Sequence, residues 1–165
     1  MLTIRRAVLE DLDAITEIYN EAILQTVATF DTHPKTVEDQ KPWFADHDSK
    51  HPILVADQDG QVVGWASLSK WSDSCAYSGT AEVSLYVKST YQGKGVGRKL
   101  LKTLVNKGEK AGLHTVVARI TQDNEVSINL FKSEGFESAG VLREVGRKFG
   151  KLLDVITLQR IYETK

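Results

Sequence analysis

The chain has 165 residues, 41% of them apolar and 26% charged, with 21 basic residues against 22 acidic ones for a net charge of -1. That size and mixture exclude a disordered chain and suit one domain, residues 1–165, rather than two. The balance of charge argues against a general polyanion binder, so nucleic acid is not an expected partner and any affinity for phosphate has to be local. Cys75 is the lone cysteine, which leaves no intramolecular disulfide to form. No apolar run approaches the roughly 20 residues of a membrane helix, and the opening MLTIRRAVLEDLD lacks the apolar centre of a signal peptide. A cytoplasmic protein with no membrane partner is the expectation.

Residues 2–7 read as a short opening strand. Glu10, Asp11 and Asp13 then crowd an acidic helix start, and Leu12, Ile15, Ile18, Tyr19, Ala22 and Ile23 follow at the spacing of an amphipathic helix. From Gln25 to Pro34 the helical period is lost in a β-branched and aromatic segment holding Phe30 and Asp31, suited either to roof a substrate site or to pack as a connection. Thr36 and Asp39 form a capping-box pair before a shorter helix with Trp43 and Phe44, in which Pro42 fits best near the first turn. Ile53–Asp57 and Gln61–Ser69 are strands joined by the hairpin signal Gln58-Asp59-Gly60. Trp71–Gly79 is polar and turn-rich, an exposed loop. His47 and His51 stand four apart, but Ser49-Lys50 and Pro52 argue against a helix there, so no metal site is expected.

The middle of the chain carries the strongest local signal. Glu82, Ser84 and Tyr86 alternate with Val83, Leu85 and Val87 in a strand with two different faces. After Tyr91, the run Gln92–Arg98 packs three glycines into five positions, and Val96, Leu100, Leu101, Leu104 and Val105 then recur at helical spacing until Gly112. A helix beginning inside glycines aims its unpaired N–H groups, and the positive end of its dipole, at whatever the loop surrounds; pyrophosphate is the natural occupant. A Walker A loop and the dinucleotide pattern Gly-x-Gly-x-x-Gly both fail on spacing. What remains is Gln-x-x-Gly-x-Gly at Gln92, Gly95 and Gly97. Thr115–Thr121 is a further strand, Asn124–Glu134 a helix with Val126, Ile128, Leu130 and Phe131, and Phe136–Glu144 and Leu152–Arg160 are two last strands around VGRKFGK. The order β-α-α-β-β-β-α-β-α-β-β, with one βαβ crossover at its centre, predicts an α/β (α+β) fold in which helices flank a mixed sheet.

The Gln-x-x-Gly-x-Gly run, set between an alternating strand and an amphipathic helix, resembles the acetyl-coenzyme A loop of the GCN5-related N-acetyltransferase (GNAT) superfamily, and the element order is similar from end to end. Four further blocks look like a narrower branch, the phosphinothricin N-acetyltransferases and L-amino acid N-acyltransferases: residues 18–21 (IYNE), 80–87 (TAEVSLYV), Asp123-Asn124 with Ser127, and 144–150 (EVGRKFG) followed by Asp154. The resemblance implies a mostly antiparallel sheet and a homodimer. It also implies transfer of acetyl from acetyl-CoA to the primary amine of a small amino-acid-like molecule, of the phosphinothricin or methionine sulfoximine type, by direct attack.

Carried over by position, the resemblance makes Glu82 the base, directly or through a water, in a partly desolvated place beside Leu68 and Trp71. The backbone of Leu85, Tyr86 and Val87 would hold the pantetheine arm and polarise the thioester. Gln92, Gly93, Lys94, Gly95, Val96, Gly97 and Arg98 would receive the pyrophosphate. Asn124 would bond the pantetheine amides, cap its helix, or do both, with Ser127 and Ser133 on the nucleotide side. Phe30, Trp71, Tyr77 and Phe149 are candidate walls of the acceptor site. Two departures stand out. Phe131 occupies the place where many members have a tyrosine that protonates the leaving thiolate, so either the thiolate leaves unassisted or another hydroxyl, such as Tyr86 or Tyr91, serves. The loop before Glu82 lacks the branch's usual arginine, for which Arg143, Arg147 or Lys148 could substitute. Rival readings are acetylation of a protein N-terminus or lysine in an open groove, and a non-catalytic module that senses acyl-CoA.

Overall fold

The computed structural model describes residues 1–163. Its elements are β1 (Leu2–Arg6), α1 (Leu12–Gln25), α2 (Val37–Ala45), β2 (Ile53–Gln58), β3 (Gln61–Lys70), β4 (Thr80–Val87), α3 (Val96–Lys110), β5 (Thr115–Thr121), α4 (Glu125–Ser133), β6 (Glu137–Lys148) and β7 (Lys151–Ile161), with short 3-10 turns at Leu9–Asp11, Cys75–Tyr77 and Ser89–Tyr91. The strands form one seven-stranded sheet in the order β1-β2-β3-β4-β5-β7-β6. Every neighbouring pair is antiparallel except β4 and β5, which the crossover through α3 forces to run the same way.

Because side chains alternate across a strand, β4 splits its residues between two cores. Ala81 and Val83 join Leu100, Leu101 and Leu104 of α3, with Ile128 and Phe131 of α4, on one face. On the other, Tyr86 packs beside Ile15 and Ile18 of α1, Trp65 of β3 and Trp43 of α2. The amphipathic helices thus cover opposite sides of the sheet. No helix among the described residues is long and apolar enough to cross a membrane.

The predicted capping box of α2 is present: the Asp39 N–H donates to Thr36 Oγ1 at 3.0 Å, and the Thr36 N–H donates to Asp39 Oδ2 at 2.9 Å. One local expectation needs correction. The last two strands run further into VGRKFGK than expected, since β6 continues to Lys148 and turns directly into β7 through Phe149 and Gly150, at φ 52° and 72°. A register shift between Leu142 and Gly146, with Glu144 at φ 52° and its N–H held by Asp154 Oδ1 at 2.7 Å, interrupts the alternation that would have revealed the strand.

Asp11 belongs to the acidic helix start read from the sequence, and it has a second role there. It lies in the 3-10 turn before α1 and serves as an ion-pair partner, accepting from Arg5 Nη1 at 2.8 Å, Arg5 Nη2 at 3.0 Å and the Val8 N–H at 2.8 Å. Burial works to raise its pKa, but the bonds from Arg5 and Val8 outweigh it and hold the carboxyl below its ordinary value. A group depressed in the folded state adds stability that is complete above its unfolded value, about 4, and is lost as pH falls through the lower folded value. Asp11→Asn is therefore expected to cost about 1–3 kcal/mol at neutral pH and to flatten the acid side of the stability curve. Urea unfolding at pH 7 and pH 3 checks this; an unchanged difference between the two pH values would assign the acid loss to other groups.

Candidate active site

The parallel ladder between β4 and β5 is short. It pairs Thr80, Ala81 and Glu82 with Thr115, Val116 and Val117 and stops there, although β4 continues to Val87 and β5 to Thr121. Beyond Glu82 a cavity of about 390 Å³ opens between the two strands, lined by residues 82–86 on one side and 118–121 on the other. Asn124, the residue before α4, and Ser127 and Phe131 within it line it too, as does Phe30 from the segment after α1. The β3–β4 ladder is continuous along this stretch, so the opening lies on one side of β4 only.

Glu82 stands at the end of the ladder, on the face that β4 turns toward α1 and α2. The expected neighbour Leu68 is not beside it: Leu68 pairs with Val83 and belongs to the opposite core, while Glu82 pairs with Ser69. Arg119 is the partner instead, its Nε donating to Glu82 Oε2 at 2.5 Å and its Nη2 to Oε1 at 2.8 Å. That is the two-pronged geometry in which a guanidinium binds a carboxylate most firmly. The bond to Glu82, acting against partial burial, raises the guanidinium's pKa above its ordinary value, so Arg119 is a fixed positive charge. The guanidinium also sits over the Trp71 ring, 5.5 Å from its centroid. Sequence reasoning missed Arg119. The signal was there: it is the one charged residue in the otherwise buried run TVVARIT, and it shares the parity of Val117, the register partner of Glu82.

The glycine loop is built as a donor surface. Gly93 and Gly95 adopt φ 75° and 84°, a left-handed conformation that glycine enters without strain, and Gly95 is the residue from which α3 starts. Among the described residues, the N–H groups of Gly93, Lys94, Gly95, Val96, Gly97 and Arg98 have no hydrogen-bond acceptor, whereas Gln92 is bonded to Ser89 O and Lys99 to Gly95 O. Six unpaired donors therefore follow one another at a helix start, with the positive end of the dipole behind them. The Gln92 side chain donates to Val87 O at 3.1 Å, tying the loop to the end of β4, and Arg98 Nη1 donates to Ser133 Oγ at 3.1 Å, tying it to α4. Lys94 lies over the Tyr91 ring.

The other sequence-nominated residues divide by place. Leu85, Tyr86, Asn124 and Ser127 line the cleft; Asn124 is also the cap of α4, with Oδ1 accepting from the Ser127 N–H at 3.3 Å. Phe30 lines it as well, packed so closely on Gly146 that a Cβ there would overlap its ring. Trp71, Tyr77, Arg147 and Phe149 are not among the lining residues, and Tyr77 and Phe149 are exposed. Lys148 is buried, and its ammonium donates to Thr29 O at 2.7 Å, which pins the segment that carries Phe30. Phe131 stacks edge-on against Phe136 and has no proton to give. Of the two alternative hydroxyls, Tyr86 lines the cleft and Tyr91 does not. Burial pushes the Tyr86 hydroxyl up to about 12, so it stays protonated.

Known proteins resemble this chain over most of its length. The profile of the Acetyltransferase (GNAT) family matches residues 13–136. An L-methionine sulfoximine/L-methionine sulfone acetyltransferase of Salmonella typhimurium is 39% identical over 159 residues, 96% of this chain and 93% of that protein. An L-amino acid N-acyltransferase of Escherichia coli is 37% identical, across 96% of this chain and 92% of its own length. Among solved structures, a GNAT superfamily phosphinothricin acetyltransferase from Sinorhizobium meliloti in complex with AcCoA superposes with a TM-score of 0.94 at 34% identity, covering 97% of this chain and 88% of that one.

Proposed function

The chain belongs to the Acetyltransferase (GNAT) family, and from that premise we propose that it moves the acetyl group of acetyl-CoA to the primary amine of a small amino-acid-like molecule of the phosphinothricin or methionine sulfoximine type. The observation that carries this reading is the unzipped β4–β5 seam, with a carboxylate at its closed end and a loop of unpaired amides at the far end of β4. That layout suits a long ligand whose diphosphate and reactive thioester are far apart. The amides of residues 93–98, with Lys94 and Arg98, bind the diphosphate; Asn124 and Ser127 flank the arm; and the free side of β4 at Leu85–Val87 offers N–H groups to the carbonyl where negative charge develops.

Glu82 takes the proton that an ammonium must lose before its nitrogen can attack; the nitrogen then bonds to the thioester carbon and the carbon–sulfur bond breaks, releasing coenzyme A as its thiolate. Attack is direct, since the sole cysteine is exposed and away from the cleft. Phe30 lying against Gly146 closes the space that a peptide acceptor would need, which favours a small amine. A screen of the standard amino acids with phosphinothricin, methionine sulfoximine and methionine sulfone, read by free thiol release from acetyl-CoA, is expected to give turnover with at least one of them. Silence across that panel, with turnover of a peptide amine, would shift the acceptor to a protein.

The proposal includes a homodimer. Its support is β6, the sheet's edge strand, which leaves Val141, Leu142 and Val145 exposed beside the Phe149 turn, an apolar edge of the kind that proteins cover. Sedimentation equilibrium is expected to show twice the chain mass at micromolar concentration, and Leu142→Lys to shift it toward the monomer; a monomeric parent chain would remove this part. A cytoplasmic setting also belongs to the proposal, supported by an exposed, unpaired thiol at Cys75.

A further inference from the structure

Among the described residues, Glu82 and Arg119 are the only charged side chains that line the cleft, and they are bonded to each other. The loop ahead of β4, residues 72–78, offers no cation. The three basic residues nominated from sequence to meet an acceptor's negative group do not line the cleft: Arg143 and Arg147 are exposed, and Lys148 spends its ammonium on Thr29 O. The cleft thus holds one positive and one negative side chain in a neutral pair at its closed end.

We propose that the Glu82–Arg119 pair is the receptor for a zwitterionic α-amino acid, opening so that the incoming ammonium takes the place of Arg119 at Glu82 while the incoming carboxylate takes the place of Glu82 on the Arg119 fork. This rests on the acceptor class stated under Proposed function and deepens it, making Arg119 the residue that demands a carboxylate next to the amine. The chemistry matches group for group. An α-amino acid carries its two charges on one carbon, so it can enter between the paired side chains and give each a partner of opposite sign. A plain amine supplies only one of the two partners and leaves Arg119 without its carboxylate, which is the condition under which polar sites discriminate most strongly. Arg119 does not lose all support on release, because Trp71 lies under its guanidinium at 5.5 Å. Half of its side chain is open to solvent, at 55% exposure, so water covers what the ligand does not.

The test compares methionine sulfone with its decarboxylated counterpart, 3-(methylsulfonyl)propylamine, in wild type, Arg119→Gln and Arg119→Lys, by thiol release and with thermal melts to confirm folding. In Arg119→Gln, kcat/KM for methionine sulfone is expected to fall about 10- to 100-fold, through KM. The decarboxylated amine is expected to lose clearly less, because it has no carboxylate for Arg119 to hold, so the ratio between the two acceptors is the readout. Arg119→Lys, which keeps the charge and loses the fork, falls between. An equal loss on both acceptors, or an unchanged ratio between them, overturns the proposal while the acceptor class stands. Wild-type turnover of neither compound, nor of any other α-amino acid, overturns the acceptor class and the proposal together.

Discussion

Replacing Glu82 with glutamine is expected to lower turnover at neutral pH by about 100- to 10,000-fold, the range over which a positioned base contributes, while acetyl-CoA affinity stays near that of the parent chain. Glutamine preserves the shape of the side chain and can still accept one bond from Arg119, so the change removes proton acceptance and the negative charge that meets the ammonium while leaving the cofactor's part of the cleft intact. The loss of charge pairing costs the fold little, because Arg119 is 55% exposed and solvent takes over the freed donors. Two features separate a missing base from a damaged site. Raising the pH until solvent deprotonates the acceptor restores part of the variant's rate, and an acceptor whose amine is already neutral at the assay pH shows a smaller defect than a fully protonated one. Steady-state thiol release measures both, and titration calorimetry with acetyl-CoA supplies the binding control. If Glu82→Gln keeps the parent turnover with a protonated amine, the proton goes elsewhere and the base must be sought among other groups.

The second large effect is expected at the glycine loop, where Gly95→Asp should weaken acetyl-CoA binding about 100-fold. Gly95 sits at φ 84° immediately ahead of α3, among amides that have no partner among the described residues. Aspartate and asparagine are the side-chain-bearing residues that best tolerate this left-handed conformation, so both variants are expected to fold. They differ by one negative charge placed where the diphosphate would lie. At about 6 Å and an effective dielectric constant of about 40, each like-charge pair costs about 1.4 kcal/mol, and two phosphate charges give about 100-fold in affinity. Gly95→Asn carries the strain and the bulk without the charge, so its loss is expected to stay within about 10-fold. The gap between the two variants should shrink in high salt, which screens exposed charges. Equal affinities for Asp and Asn would mean that the diphosphate is held elsewhere.

How much of this was legible in the residues depends on how far apart the interacting groups lie along the chain. Periodicities of two and 3.6 act over neighbouring residues, so the alternating β4, the amphipathic α1 and α3, the Thr36–Asp39 cap and the glycine entry into α3 could all be read directly. The order of these elements, with a single crossover in the middle, was enough to predict a mixed sheet flanked by helices. Local backbone rules write such features into a few adjacent letters.

Contacts between distant residues leave no such trace. Glu82 could be nominated from its strand, but its surroundings depend on which residue of β3 stands opposite and on Arg119, 37 positions later. Lys148 looked like a free cation because Thr29, 119 positions away, is brought to it only when the last hairpin folds over the segment after α1. The end of that hairpin's first strand was hidden, since the register shift between Leu142 and Gly146 breaks the very alternation by which strands are recognised. The unzipping of β4 from β5 is a property of two strands at once. The sequence by itself therefore determined the elements, their order and the donor loop; tertiary structure alone decided which charges meet in the cleft, because pairing across a sheet is set by register and packing rather than by nearness along the chain.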